Sequence, residues 1–390
     1  MLTLEKFTGI NNVQPAERLQ ATDLVSALNV DLGLSGEPRR RGGYGQLSDE
    51  CHKNLYQADG FLLATVAGDL TAIHEDGSRV LLYESLGMSR LHYCALPDGR
   101  VAWSNGLING VTDGRAATGW GVPLPESAGF AQAVAGELDP GPYLYQIAYV
   151  RLSDRLEGGS VFGGRLEVPA HGGVLLTGLP WREGFAINVY LSAAGGDQTF
   201  LAGCALGDAF SYLGKTATLV LPCRVEQAGP APVGTAMAWW RTRALVAQGN
   251  VLWASRPHGW ETFSRTRDFK QFSAPITLVQ PVDDGIWVGT EKELAWLGGV
   301  DFDGLAYRRA MAAPVVPGSG VAVPGELVSL GDGPGQGAAM VCIAGGMLVA
   351  GFNGGSLARL SQERYRTSAR EVAATFRVVD GIPQYIAVPQ

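Results

Sequence analysis

The sequence is poor in the residues that enzymes and secreted proteins show most openly. Its five histidines, His52, His74, His92, His171 and His258, are scattered. Its five cysteines, Cys51, Cys94, Cys204, Cys223 and Cys342, are widely spaced and include no C-x-x-C. An odd, dispersed set argues against a disulfide framework and is read as buried free thiols. His92 and Cys94 share one face of a strand, but a structural metal site wants four ligands and no second pair is in view. No H-E-x-x-H, G-x-S-x-G, P-loop or Rossmann glycine fingerprint occurs. The expectation is therefore no enzyme, no cofactor and no metal.

Long apolar runs are missing too. None approaches the roughly 18 residues of a membrane helix. The start MLTLEKFTGINN lacks the basic-then-apolar order of a signal peptide. A soluble chain made in a reducing cytosol is expected. Charge is sparse at 17% of residues, and the net value of −7 disfavours gripping nucleic acid or an anionic membrane.

Glycine, by contrast, is abundant at 54 of 390 residues. It falls in a recurring unit of apolar strand, tight Asp-Gly or Gly turn, apolar strand. Examples are YQADGFLLATVAGDLTAIHEDGSRVLLY from Tyr56, HYCALPDGRVAWSNG from His92, LVQPVDDGIWVGT from Leu278 and MVCIAGGMLVAGF from Met340. Such turns supply the positive φ angles of short hairpins. A chain of hairpins predicts an all-β fold of stacked or radial antiparallel sheets, a β-propeller-like domain.

Two stretches depart from the unit. Residues 1–50 read as an extended N-terminal arm, weakly helical near Ala21–Leu28, with one dense basic run at Arg39, Arg40 and Arg41. That run is either a solvated turn or a contact to an acidic neighbour or nucleic acid. Residues 126–228 alternate apolar and polar over six or seven short runs. They predict an inserted β-sandwich of the immunoglobulin or fibronectin III kind. The propeller-like domain is then discontinuous, 51–125 and 229–390. Tyr143, Tyr145, Ile147 and Tyr149 share one face of a strand, as core or as a sugar-binding strip. The tail predicts two strands about Asp380-Gly381, one of which would pair with an early strand and close a ring.

Candidates for chemistry remain few. Asp283 and Asp284 at a hairpin tip, with Asp301 and Asp303, could be glycosidase carboxylates or turn residues that cap their own backbone. Trp239, Trp240, Trp253, Trp260, Trp287 and Trp296 are dense in the third quarter and read as wedge-filling core or as a partner patch.

The arm FTGINNVQPAERL, then ALNVDLGLSGEPRRRGGY, resembles the N-terminal arm of bacteriophage tail nozzle and hub proteins. WASRPHGWETF and PVDDGIWVGTEKELAWLGG resemble their β-propeller blades, and PYLYQIAYVRLSDRLEGGS the entry strand of their inserted fibronectin-like module. The resemblance implies a virion structural subunit forming a homo-oligomeric ring, usually a hexamer, below the portal and adaptor. Such a ring extends the DNA ejection channel without binding DNA specifically and carries tail fibres or spikes. Arg39, Arg40 and Arg41 would then contact a neighbouring subunit. The alternative is a glycan-binding or glycan-depolymerising tail component in host attachment.

Overall fold

A computed structural model describes residues 6–33, 35–43, 45–46, 48–330, 333–379 and 381–390. Among them there is no α-helix, only four three-residue 3₁₀ turns. The rest is many small sheets, almost all antiparallel. Tyr44 of the arm and Asp380 of the last turn lie outside the described residues.

Five sheets of four or more strands follow one another outside the insertion. Sheet I spans residues 52–83 and sheet II 92–118, each a four-stranded meander. Sheet III, 228–271, has six strands. Sheets IV, 276–311, and V, 321–359, have four each. A terminal hairpin joins Val372–Val379 to Ile382–Pro389.

The turns follow from residue chemistry. Gly60, Gly77, Gly99 and Gly114 carry the positive φ of the Asp-Gly turns. Asp76, Asp98 and Asp113 each accept from the backbone N–H two residues on. At Ala67-Gly68 and Gly345-Gly346 both central residues have positive φ, as a type I′ hairpin requires.

Apolar faces join the sheets in chain order. Phe61 and Leu63 of sheet I share a core with Val101 of sheet II. Ala102 and Val111 meet Ala244 and Val246 of sheet III. Leu245 and Leu252 meet Ile286 and Leu297 of sheet IV. Trp287 and Trp296 meet Met340, Cys342 and Val349 of sheet V. Phe352 and Val341 meet Phe376 and Tyr385 of the terminal hairpin. The two tryptophan rings sit 5.1 Å apart, and Gly351 lies against Trp287 where any Cβ would clash. Each fully buried side chain of this size contributes roughly 1.5–3 kcal/mol.

Among the described residues the terminal strands pair with each other and with no early strand, which corrects the expected closure by strand exchange. The end meets the start through side chains instead. Arg90 is ion-paired to Glu371 at 2.8 Å and donates to the Val372 carbonyl at 3.0 Å.

Between sheets II and III the chain builds seven strands, from Phe130 to Tyr212. Three form one sheet in the order Phe130–Leu138, Gly172–Thr177, Ala209–Tyr212. Four form another in the order Glu157–Val168, Gly141–Arg151, Phe185–Ser192, Thr199–Ala205. The sheets share one core. Tyr143, Tyr145, Ile147 and Tyr149 all point into it and are 0–6% exposed. They are core, and a sugar-binding strip at these four positions is excluded.

Candidate interaction surfaces

The arm is tied to its own chain. Asn11 turns it: its Oδ1 accepts from the N–H groups of Val13 and Gln14, and its Nδ2 donates to Asp23. Asn12 then works as a staple. Its Nδ2 donates to the Arg366 carbonyl at 2.7 Å, and its Oδ1 accepts from the Arg366 N–H at 2.8 Å. Its own N–H donates to the Arg364 carbonyl at 2.9 Å. Arg364 is ion-paired to Asp23 at 3.0 Å. The hydroxyl of Thr8, with lesser help from Arg364, holds the Asp23 carboxyl below its usual range. The expected helix at Ala21–Leu28 is not there. Asp23-Leu24 instead pairs in parallel with Gly9-Ile10.

Beyond the staple the arm is exposed. Val25 is 75% and Leu28 86% accessible. Val30–Leu32 then pairs with Pro38–Arg40, so Arg39 and Arg40 stand on a strand of a small hairpin rather than in a turn. Arg39 is ion-paired to Glu37 at 2.8 Å, and Arg41 donates its N–H to the Asn29 carbonyl. All three arginines remain exposed.

A second junction escaped the sequence reading. Glu261, in strand Gly259–Ser264 of sheet III, is 6% exposed. One oxygen pairs with Arg100 at the edge of sheet II, the other with Arg151 of the sandwich at 2.8 Å. Asp98 pairs with Arg100 and Asp154 with Arg151, so two guanidinium groups face three carboxylates. Hydrogen bonds from Asp154 and Glu261 outweigh burial and raise the Arg151 guanidinium above its usual range. Trp120 donates its Nε1–H to the Trp260 carbonyl beside this network. Residues 100, 151 and 261 are too far apart in sequence for any spacing rule to join them.

The other candidates resolve as structure. Asp283 does not cap its own turn. Its Oδ2 accepts from the Ala338 N–H and the Asn353 Nδ2, both at 2.8 Å. The Oδ2 of Asp284 accepts from the Gly354 N–H at 2.8 Å, while its buried Oδ1 has no partner among the described residues. The pair ties the turn of sheet IV to sheet V. Asp301 and Asp303 lie exposed in the loop before Ala306–Met311. Trp240, Trp287 and Trp296 are buried; Trp239, Trp253 and Trp260 are half-buried against the core of sheets II and III.

Burial, then the Arg90 guanidinium, pushes the His92 imidazole down to about 4. Burial pushes the Cys94 thiol up to about 12. No cluster of three potential metal ligands exists among the described residues. All five cysteines are free, but Cys51 and Cys204 are exposed and Cys223 half-buried, which corrects the reading of uniformly buried thiols. Among the described residues no helix is long and apolar enough to cross a membrane. A cleft of about 590 Å³, lined by His52, Lys53, Arg90, Tyr93 and Glu371 among others, opens where the terminal hairpin meets sheets I and II.

No family model and no curated protein matches the chain. Solved structures that align include BBS1N in complex with ARL6DN, at 12% identity over 87% of this chain and 88% of that one, TM-score 0.34. The WD40 domain of SCAP from fission yeast aligns at 8% identity over 77% and 62%, TM-score 0.27. The Dos1 propeller aligns at 11% over 76% and 78%, TM-score 0.21. Likenesses this loose carry no argument about function.

Proposed function

We propose that the chain is a structural subunit of a homo-oligomeric ring in a bacteriophage tail, of the nozzle or hub kind. The observation that carries the ring is a pair of hairpins, each with open strand edges. Among the described residues each eight-residue strand of the terminal hairpin pairs with its partner alone, and Val378, Val379 and Val388 are 50%, 38% and 54% exposed. Paired apolar strands with open edges are surfaces that a neighbouring copy covers. The arm hairpin, on which Arg39 and Arg40 stand exposed, offers a second open edge.

The scaffold is read as a five-bladed propeller, supported by five sheets packed face to face in chain order. The insertion, within 126–228, is read as fibronectin III-like. Its four-stranded sheet has the C′-C-F-G order of such sandwiches, while in the other sheet the strand Ala209–Tyr212 flanks Gly172–Thr177, the edge opposite to the one an N-terminal A strand would occupy beside Phe130–Leu138. In this reading the ring, a hexamer, continues the DNA channel below portal and adaptor, supports fibres or spikes, and resides in the virion. A depolymerase acting through Asp283 and Asp284 has less support, because both carboxylates accept backbone N–H groups of sheet V. Mass spectrometry of purified phage particles tests the placement: stoichiometric presence is expected, and absence from the particle contradicts it.

A further inference from the structure

The alternation that buries Tyr143, Tyr145 and Ile147 turns Leu144 and Gln146 to the opposite face of the four-stranded sheet. Part of that face is covered by residues 221–229, where Val225 and Ala228 pack on Ala148 and Tyr190. Beside this cover lies a cleft of about 380 Å³, between the sandwich and sheet III. Its volume and its place at a junction of two units are those of small-molecule sites.

Its lining is chemically specific. Phe162 stands directly across the strand pair from Gln146 and is 61% exposed, an uncovered aromatic face at the cleft wall. Gln146 is 6% exposed and forms the floor. Its Oε1 accepts from the Ser160 hydroxyl at 2.8 Å, and its Nε2 donates to Thr199 and, at 2.8 Å, to Glu226 Oε1. This buried network fixes one oxygen of the Glu226 carboxylate. Asp197 and Arg265 complete the rim.

We infer that this cleft is a binding site for an uncharged saccharide. Two carboxylates beside one guanidinium repel an anion such as a phosphate. A purely apolar ligand would strip water from these charged groups and give nothing back. A pyranose meets both demands. Its C–H face lies on Phe162, and its hydroxyls donate to Glu226 and Asp197 and accept from Arg265. The inference stands on the cleft alone and is independent of the ring.

Saturation-transfer-difference NMR on the full chain tests it, with glucose, galactose, N-acetylglucosamine and N-acetylgalactosamine as probes. Transfer to ring protons of at least one sugar is expected. Phe162→Ala, at an exposed position, and Glu226→Gln are each expected to weaken that binding tenfold or more without changing the melting temperature. Loss in either variant with wild-type melting supports the site. No transfer to any of the four sugars, binding unchanged in both variants, or a lysine tripeptide displacing the sugar overturns it. Light scattering on the same variants keeps this result separate from assembly.

Discussion

Two junctions tie together parts of this chain that lie far apart in sequence, and they do so by opposite means. At Glu261 a carboxylate that is 6% exposed binds arginines from sheet II and the sandwich. At Asn12 an exposed amide clips the arm to the backbone at residues 364–366. The first arrangement strands buried charge if one member is lost. The second surrenders its hydrogen bonds to water at little cost. Residues 130–212 are therefore locked onto the sheets, whereas the arm is held by a contact that is cheap to release.

The largest expected effect lies at the locked junction. Glu261→Ala removes the buried carboxylate shared by Arg100 and Arg151, leaving each with its own aspartate, and is expected to cost about 3 kcal/mol. Urea denaturation of the purified protein measures this. A loss well below 1 kcal/mol would erase the contrast between the two junctions.

His92, at the closure beside Arg90, is intermediate. Its folded value of about 4 lies below the unfolded 6.5. The unfolded state therefore binds the proton more readily, and stability falls as pH drops from about 6.5 towards 4, by up to about 3 kcal/mol. A His92→Gln variant should flatten this part of the stability profile, read by denaturant titration at several pH values.

The arm staple ranks lower. Asn12→Ala removes two side-chain hydrogen bonds and should cost about 1 kcal/mol. The loss should be confined to the arm, seen as faster amide exchange around residues 8–24 with an unchanged sheet core. Ala67 tests the scaffold itself. It holds φ 51° in a turn that suits glycine, so Ala67→Gly should stabilise sheet I by up to about 1 kcal/mol in thermal melts.

What the sequence made legible was local. The alternation of Tyr143, Tyr145, Ile147 and Tyr149 placed four core residues, because a strand's side-chain period is fixed. The Asp-Gly turns were legible because both their groups lie within three residues. The uses of Asp283 and Asp284 were not, since their partners Ala338, Asn353 and Gly354 lie 55 to 70 residues away. Still larger separations, 161 residues to Arg100 and 110 to Arg151, hid Glu261. At Ala21–Leu28 helical propensity lost to Asp23, whose carboxylate is held by Thr8, Asn11 and the Gln20 N–H in an extended segment. Nothing local marked Gln146 as the floor of a cleft, because its burial depends on the cover that returns at residues 221–229.

The ring stands or falls on whether the hairpins with open edges are subunit contacts. Multi-angle light scattering of the full chain, from low to high micromolar concentration, tests it most directly beside a Val379→Asp, Val388→Asp variant. A closed homo-oligomer that the variant converts to monomer is the predicted result. A wild-type chain that stays monomeric throughout, or an oligomer indifferent to both substitutions, would contradict it.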